Sequence, residues 1–209
     1  MIAIIDYGMG NIKAFANIYR RLQIDHRIVS DAQGLMDADG LILPGVGAFD
    51  HAMGKLNDSG LRDCLDQQVL EKNKPVLGIC VGMQMLAKSS DEGKLRGLGW
   101  VEGEVKKLVL SEDTGRMPLP HMGWNQVRQT RDSVIFDNIE NEGRFYFLHS
   151  YYFECNNRDD SIASAHYGHD FTCLVNSGNV FGIQCHPEKS HSNGVSLLEN
   201  FARISHAAI

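Results

Sequence analysis

Short strands that are apolar at every position alternate with amphipathic helices through the first half of the chain, and this alternation limits the possible folds most. Apolar runs at Met1–Ile5, Gly40–Leu43 and Pro75–Ile79 predict strands whose two faces are both covered. Helical periodicity at Ile12–Leu22 and Phe49–Leu56 supplies covering layers between them. Three more elements are predicted: a strand at His26–Val29 and helices at Leu61–Leu70 and Val81–Lys88. The pattern predicts an α/β fold with a doubly wound, mainly parallel sheet.

The second half has a different pattern, with strands joined by short polar turns. The turn Asn176–Asn179 between two apolar runs is typical of a β-hairpin. A helix at Gly194–Ile204 ends the pattern. Strands are predicted at Trp100–Leu110, Trp124–Gln129, Arg144–Leu148, Tyr151–Cys155, Ile162–Tyr167, Phe171–Asn176 and Val180–Cys185. Because no Pro/Gly/Ser-rich linker separates the halves, we expect one domain over residues 1–209, its parallel sheet extended by antiparallel strands.

Composition excludes several functional classes. A formal net charge of −6 argues against broad binding to nucleic acid or to an anionic membrane. The five cysteines are odd in number and form no C-x-x-C pair, which argues against a disulfide framework or a zinc site and favours a reducing, cytoplasmic setting. The first residues lack the basic n-region of a signal peptide, so no signal peptide is expected there. No apolar run approaches the ~18–20 residues of a membrane span.

One cysteine stands in a setting that favours chemistry. Gly78–Gly82 reads Gly-Ile-Cys-Val-Gly and joins an apolar strand to a helix, which is the cysteine form of a nucleophile elbow. Glycines two residues either side of Cys80 allow the sharp turn and the close approach of backbone. The turn places the sulfur at a helix N-terminus, where backbone N–H groups favour a thiolate. A buried core cysteine between packing glycines is the alternative.

A base for Cys80 is available at the end of another strand. His186 follows the apolar strand Val180–Cys185, and Glu188 lies two residues further on. The histidine can take the thiol proton while the glutamate binds the other imidazole nitrogen and sets the tautomer. Alone, the His-x-Glu spacing is weak evidence for a catalytic pair, since nine histidines in the chain make chance pairings common. No cysteine and histidine spacing indicates a metal site, so no cofactor is expected.

A glycine-rich turn, Pro44–Gly47, follows a third strand. Its backbone can present N–H donors to a developing oxyanion, although an ordinary strand-to-helix turn would look the same. Neither this turn nor Asp6–Asn11 fits the spacing of a P-loop or a dinucleotide-binding loop. Nucleotide binding is therefore rejected as the first interpretation.

These motifs, in this order, resemble the class I (triad) glutamine amidotransferases, whose fold is flavodoxin-like. Three further segments narrow the resemblance to the glutaminase subunits of imidazole glycerol phosphate synthase: Asp6–Asn11, Pro120–Asn125 and Phe145–Tyr151. Two positions depart from the family pattern, Cys185 where phenylalanine is common and Val81 where leucine is usual.

The resemblance implies glutamine hydrolysis, with Cys80 as nucleophile, His186 as proton shuttle and Glu188 as its orienting partner. It also implies an oxyanion hole and a glutamine-binding set. The implied oxyanion-hole residues are Val46, Gly47 and Val81, and the implied glutamine-binding residues are Gly45, Gln84, Glu92, Ser150 and Tyr151. Among these Glu92 lies in a polar segment that a solvated helix end would also explain.

A partner is implied as well, a (β/α)8-barrel cyclase that receives the ammonia and makes imidazole glycerol phosphate in histidine biosynthesis. The implied interface residues are Asn11, Trp124, Asn125 and Lys189. Three alternatives remain open at this point. They are a paralogous subunit serving a cell-surface sugar pathway, a non-catalytic subunit that keeps the fold, and a hydrolase such as a γ-glutamyl peptidase that works alone.

Overall fold

Twelve strands form one sheet in the computed structural model, which describes residues 1–109 and 117–207. The strands are β1 (Ile2–Ile5), β2 (His26–Val29), β3 (Gly40–Gly45), β4 (Val76–Cys80), β5 (Ser89–Ser90), β6 (Gly103–Lys107), β7 (His121–Gln129), β8 (Gly143–His149), β9 (Tyr151–Cys155), β10 (Ser161–Tyr167), β11 (His169–Ser177) and β12 (Val180–Ile183). The helices are α1 (Ile12–Arg21), α2 (Ala32–Asp37), α3 (Phe49–Asp58), α4 (Arg62–Asp66), α5 (Val81–Met85) and α6 (His191–Ala207).

The parallel half of the sheet has the order β2-β1-β3-β4-β12. Every residue of β1, β3, β4 and β12 is buried. Because side chains alternate between the two faces of a strand, complete burial means that both faces are covered. On the covering layers, α1 packs against α6, and α5 packs against β3 and β4. The predicted doubly wound, mainly parallel sheet is confirmed.

The antiparallel half continues the sheet from β12 through β11, β10, β7 and β8. The strand β9 pairs with β11 and with β6, which forms a branch off this path. The predicted hairpin is present, since Ser177 pairs with Val180 and the turn between them contains Gly178 at φ 58°. The two halves meet at β12, so the chain that leaves β12 lies beside the parallel strands.

Several predicted boundaries differ from the observed ones, and for three of them the physical reason is identifiable. The strand β3 continues through Gly45, because β1 stops pairing at Ile42 and leaves Pro44 on a side where its missing N–H is not needed. Helix α5 ends at Met85 rather than Lys88, because the Lys88 N–H donates to the Gly103 carbonyl and the next two residues form β5.

The predicted strand Trp100–Leu110 is shorter in the structure, where β6 covers Gly103–Lys107. Trp100 instead donates from its indole nitrogen to Asp66, 2.7 Å away, and Leu110 lies outside the described residues. In the described part of the chain, no helix has the length and hydropathy needed to cross a membrane.

Candidate active site

Cys80 is the last residue of β4, and α5 begins at the next residue. Its backbone has φ 55° and ψ −113°, a conformation that side-chain-bearing residues rarely adopt. The turn is tight on both sides. A Cβ added to Gly78 would lie 2.6 Å from the Gly82 carbonyl oxygen, and one added to Gly82 would lie 2.0 Å from the Leu43 carbonyl oxygen. The two glycines therefore permit the strained turn that presents Cys80.

His186 reaches the same end of the sheet because β12 is the parallel neighbour of β4. Its Nδ1 lies 3.0 Å from Glu188 Oε1, and both side chains are buried. Glu188 is held in a short 3₁₀ turn, Pro187–Lys189, directly after the histidine. Burial lowers the pKa of His186, but the nearby Cys80 sulfur and the Glu188 carboxylate outweigh burial and raise it to about 10. This arrangement favours the protonated form of the His186 imidazole.

The Nε2 atom of His186 is buried and makes no hydrogen bond to the residues that the structure describes. His186 and Cys80 line one cavity of about 310 Å³ at the carboxyl ends of the parallel strands. An unpartnered ring nitrogen beside a thiol is suited to moving a proton between the sulfur and a bound molecule. The cavity is lined by Val46, Gly47, Cys80, Val81, Gln84, Glu92, Pro120, Leu148, His149, Ser150, Tyr151 and His186.

The structure thus brings most of the sequence-predicted site residues to one cavity. Nine of the eleven catalytic, oxyanion-hole and glutamine-binding candidates line it, and two do not. Glu188 lies behind His186, and Gly45 lies in β3 as the register partner of Cys80. The oxyanion-hole candidates Val46 and Gly47 directly follow β3, and Val81 opens α5, whose first N–H groups have no partner within the helix. Their roles stay predictions.

Gln84 and Glu92 are both held by the protein as well as facing the cavity. The Gln84 amide nitrogen donates to the Tyr151 carbonyl at 3.1 Å and to Gln184 Oε1 at 3.0 Å. Glu92 Oε2 accepts from the Phe49 N–H at 2.8 Å and so caps the start of α3. Among the described residues, neither the Gln84 carbonyl oxygen nor the second Glu92 carboxylate oxygen accepts a hydrogen bond.

The four predicted interface residues lie in different surroundings. Trp124 is 38% exposed and stacks on His191 with ring centroids 5.0 Å apart. Lys189 lies over the Tyr146 ring at 5.5 Å, and Asn11 is exposed just before α1. Asn125 is only half exposed, because its amide donates to the His166 carbonyl at 2.8 Å.

Comparison with known proteins places the chain in a family. The family model "Glutamine amidotransferase class-I" matches residues 3–204. A protein of Bdellovibrio bacteriovorus named imidazole glycerol phosphate synthase subunit HisH is 55% identical over 204 residues, covering 98% of this chain and 100% of the relative. A protein of the same name from Leptospira borgpetersenii is 51% identical with the same coverage. The chain belongs to the class I glutamine amidotransferases, in their HisH branch.

Solved structures agree on the amidotransferase fold. A putative GMP synthase subunit from Thermoplasma acidophilum superposes with a TM-score of 0.73 at 24% identity, covering 99% of this chain and 94% of that one. A second structure, described as a glutamine amidotransferase, gives a TM-score of 0.75 at 18% identity and covers 99% of this chain and all of the other. At these identities the likeness concerns the fold.

Sequence reasoning missed three polar residues of this amidotransferase site. His149 lines the cavity. His121 Nδ1 lies 2.9 Å from His149 Nε2, and Gln184 lies beside Cys80. For Gln184 a signal existed, because a glutamine inside the apolar strand just before His186 is costly to bury without partners. Cys185, next to the catalytic candidate, is fully buried, and burial raises the pKa of its thiol, which fits packing rather than chemistry.

Proposed function

We propose that this HisH-type amidotransferase is the glutaminase subunit of an imidazole glycerol phosphate synthase, acting in histidine biosynthesis. The observation that carries the proposal is that Cys80 and His186, which follow neighbouring parallel strands, line one cavity, while Glu188 holds His186 from behind. Relatives at 51% and 55% identity that carry this name favour the histidine pathway over the cell-surface sugar pathway.

The first half of the reaction uses the sulfur as nucleophile. The Cys80 thiolate attacks the side-chain amide carbon of glutamine, and the negative charge moves onto the amide oxygen. Backbone N–H groups at Val46, Gly47 and Val81 would stabilise that oxygen. His186 then gives its proton to the amide nitrogen as the C–N bond breaks, so ammonia leaves and a γ-glutamyl thioester remains on Cys80. Glu188 holds the ring in orientation and stabilises its charged form.

The second half regenerates the enzyme. Water attacks the thioester carbon while neutral His186 accepts its proton, and the C–S bond breaks to release glutamate. The sulfur leaves as a thiolate, so Cys80 and His186 return to the ion pair from which they began. Gln84, Glu92 and the backbone of Ser150 and Tyr151 would hold the amino-acid end of glutamine during both steps, since all four line the cavity.

The ammonia would pass to a (β/α)8-barrel cyclase docked over the cavity mouth. Apolar side chains exposed at or close in sequence to the lining residues Val46 and Pro120 support a docking surface there, and Lys189 adds a charge. This surface, called the docking face below, consists of Val46, Leu119, Met122 and Trp124. We further propose that residues 1–209 act as one domain in a reducing, cytoplasmic setting, supported by the single sheet and by five free cysteines, all of which lie in the described residues.

The test is transfer of labelled ammonia. The chain is co-purified with a candidate (β/α)8-barrel cyclase. The complex is supplied with glutamine labelled with ¹⁵N in the amide and with the histidine-pathway acceptor. We expect ¹⁵N in imidazole glycerol phosphate and no transfer with Cys80→Ala. Label that reaches only free ammonia, or only a nucleotide-sugar acceptor, would refute the proposed pathway.

A further inference from the structure

A fully buried glutamine lies directly beside the candidate nucleophile. Gln184 Nε2 is 3.9 Å from Cys80 Sγ, within hydrogen-bond range for sulfur, and Gln184 Oε1 accepts from the Gln84 amide at 3.0 Å. Burying an amide is unfavourable unless its donors and acceptors find partners. Here both ends of the amide have one, and one of those partners is the reactive sulfur.

Fixed carbonyl groups determine which way these amides face. The Tyr151 carbonyl can only accept, so the atom of Gln84 that lies 3.1 Å from it is the NH₂ group. The second hydrogen of that group reaches Gln184, so the facing atom of Gln184 is its oxygen. The NH₂ group of Gln184 therefore points at Cys80, as a donor to the sulfur.

The same carbonyl anchors two buried histidines. His149 Nδ1 lies 2.8 Å from the Tyr151 oxygen, so Nδ1 carries the proton and Nε2 accepts. His121 Nδ1 lies 2.9 Å from that Nε2 and must be the donor, which leaves His121 Nε2 to accept from Asn125 at 3.2 Å. Asn125 meets this requirement independently, because its NH₂ group also faces the His166 carbonyl and its oxygen accepts from the Gln126 N–H, both at 2.8 Å.

The Tyr151 carbonyl at one end and Asn125 at the other thus set the direction of every hydrogen bond between them. These directions require both imidazole rings to be neutral. The surroundings agree with this, since rings of Phe147, Tyr167 and Phe171 pack on the pair, and a charge on His186 disfavours a second proton on His149. Burial lowers the pKa of His121 to about 4 and that of His149 to about 3. A proton on His149 Nε2 would place two donors face to face.

We propose that Gln184 is a positioning residue that holds the Cys80 sulfur by donating a hydrogen bond to it, and that a polar relay keeps Gln184 in the required orientation. The polar relay consists of Asn125, His121, His149, the Tyr151 carbonyl and Gln84. The inference rests on the proposed glutaminase function. It assigns a task to buried polar groups that neither bind the amide carbon nor move a proton.

The test compares two changes at Gln184 in the full chain bound to its barrel partner. Gln184→Met keeps the length but removes the donor, and Gln184→Glu keeps the acceptor for Gln84 but faces the sulfur with a carboxylate. We expect kcat to fall about 10- to 100-fold in both, with KM changed less than about threefold, because the lost hydrogen bond orients the attacking sulfur. Alkylation of Cys80 by iodoacetamide, mapped by mass spectrometry, should slow by a similar factor.

Two variants of the relay test its orientation. His149→Leu removes the donor to the Tyr151 carbonyl and should lower kcat about tenfold. His149→Asn places an amide donor where Nδ1 was and should recover most of that loss, which a purely structural role would not predict.

The matched control is Asn200→Leu. Asn200 is a buried amide remote from the cavity, and it donates to the Ile135 and Asp137 carbonyls at 2.9 and 2.7 Å. Its replacement should lower the melting temperature and leave kcat and Cys80 alkylation unchanged. If Gln184→Met does not fold, Gln184→Glu decides the question.

An unchanged kcat and alkylation rate in a folded Gln184 variant, with wild type active and Cys80→Ala inactive, would overturn the positioning role and leave the glutaminase function intact. An inactive wild-type complex would instead overturn the function on which the inference rests.

Discussion

Gly45 is the strand partner of Cys80, and the two residues end neighbouring parallel strands side by side. A Cβ added to Gly45 would lie 2.5 Å from the Gly82 nitrogen and 3.0 Å from the Val81 carbonyl carbon. The backbone after β3 therefore packs directly on the first turn of α5. This contact joins the Val46–Gly47 loop and the nucleophile turn into one unit.

Gly45→Ala should push the Val46–Gly47 loop away from the nucleophile turn. The added methyl group must displace backbone at the start of α5, so we expect the free energy of unfolding to fall by about 1–3 kcal/mol and glutaminase turnover to fall more than tenfold. Denaturant unfolding and a coupled glutamate assay measure the two effects. Gly54→Ala in α3 is the control, since no described residue outside its own stretch of helix lies within 4 Å of the added Cβ, and it should be neutral or slightly stabilising. Equal behaviour of the two variants would contradict the packing described.

Glu188→Gln should weaken the base without moving it. The amide keeps a hydrogen bond to His186 Nδ1 but removes the carboxylate that helps to raise the pKa of the imidazole. We expect kcat to fall at least about tenfold with KM little changed, measured by steady-state glutaminase kinetics with the barrel partner present. Wild-type kcat in this variant would remove Glu188 from the triad.

The contact between His186 and Glu188 also predicts how the stability of the protein changes at alkaline pH. Because the pKa of His186 is raised above its usual value of 6.5, its contribution to stability is complete below that pH and is lost as the pH rises toward 10. The wild-type free energy of unfolding should therefore fall between pH 7 and pH 10 more steeply than that of Glu188→Gln, by up to about 1.4 kcal/mol per pH unit. Parallel pH profiles would contradict the raised pKa.

The strand order near the site illustrates what could be predicted from the chain alone. Apolar strands, the Gly-x-Cys-x-Gly turn and the position of His186 after a strand are local patterns, and each predicted element is present. The pairing of Gly45 with Cys80 and of β12 with β4 joins segments 35 and more than 100 residues apart, so their contact depends on the topology of the whole sheet. The resemblance to amidotransferases supplied that topology where periodicity could not.

Acid should destabilise the protein through the two buried histidines. Because burial lowers the pKa of His121 and His149, the stability they contribute is present above pH 6.5 and is lost as the pH falls toward 4. In His149→Asn the free energy of unfolding should fall less steeply between pH 6 and pH 4, by up to about 1.4 kcal/mol per pH unit. Asn200→Leu, which removes a buried amide that does not titrate, is the control and should keep the wild-type slope. An unchanged slope in His149→Asn would mean that His149 binds protons in the folded protein.

Trp124→Ala should weaken the complex more than it weakens the chain. The ring is partly exposed on the docking face and stacks on His191, and tryptophan at such positions often dominates binding energy. We expect the Kd for the barrel partner to rise about 10- to 100-fold by calorimetry. Val134→Ala removes another exposed apolar side chain, outside the docking face, and should leave the Kd unchanged. If both variants bind like wild type, the cyclase docks elsewhere.

The polar groups behind the cavity were the hardest part to predict. Gln184, His149 and His121 look like isolated polar residues in apolar strands, because their partners come from distant segments and one of them is a backbone carbonyl. Glu92 shows the opposite problem, since its polar segment suggested a solvated helix end, whereas its carboxylate caps α3 and faces the cavity.

The most direct test of the central claim is covalent trapping of the nucleophile. The chain and its partner are treated with a glutamine-like electrophile, digested, and mapped by mass spectrometry over all five cysteines, with free glutamine as competitor. Label on Cys80 alone, suppressed by glutamine and lost in Cys80→Ala together with activity, is the predicted result. Label on Cys185, or full glutaminase activity in Cys80→Ala, would contradict the assignment of Cys80 as the nucleophile.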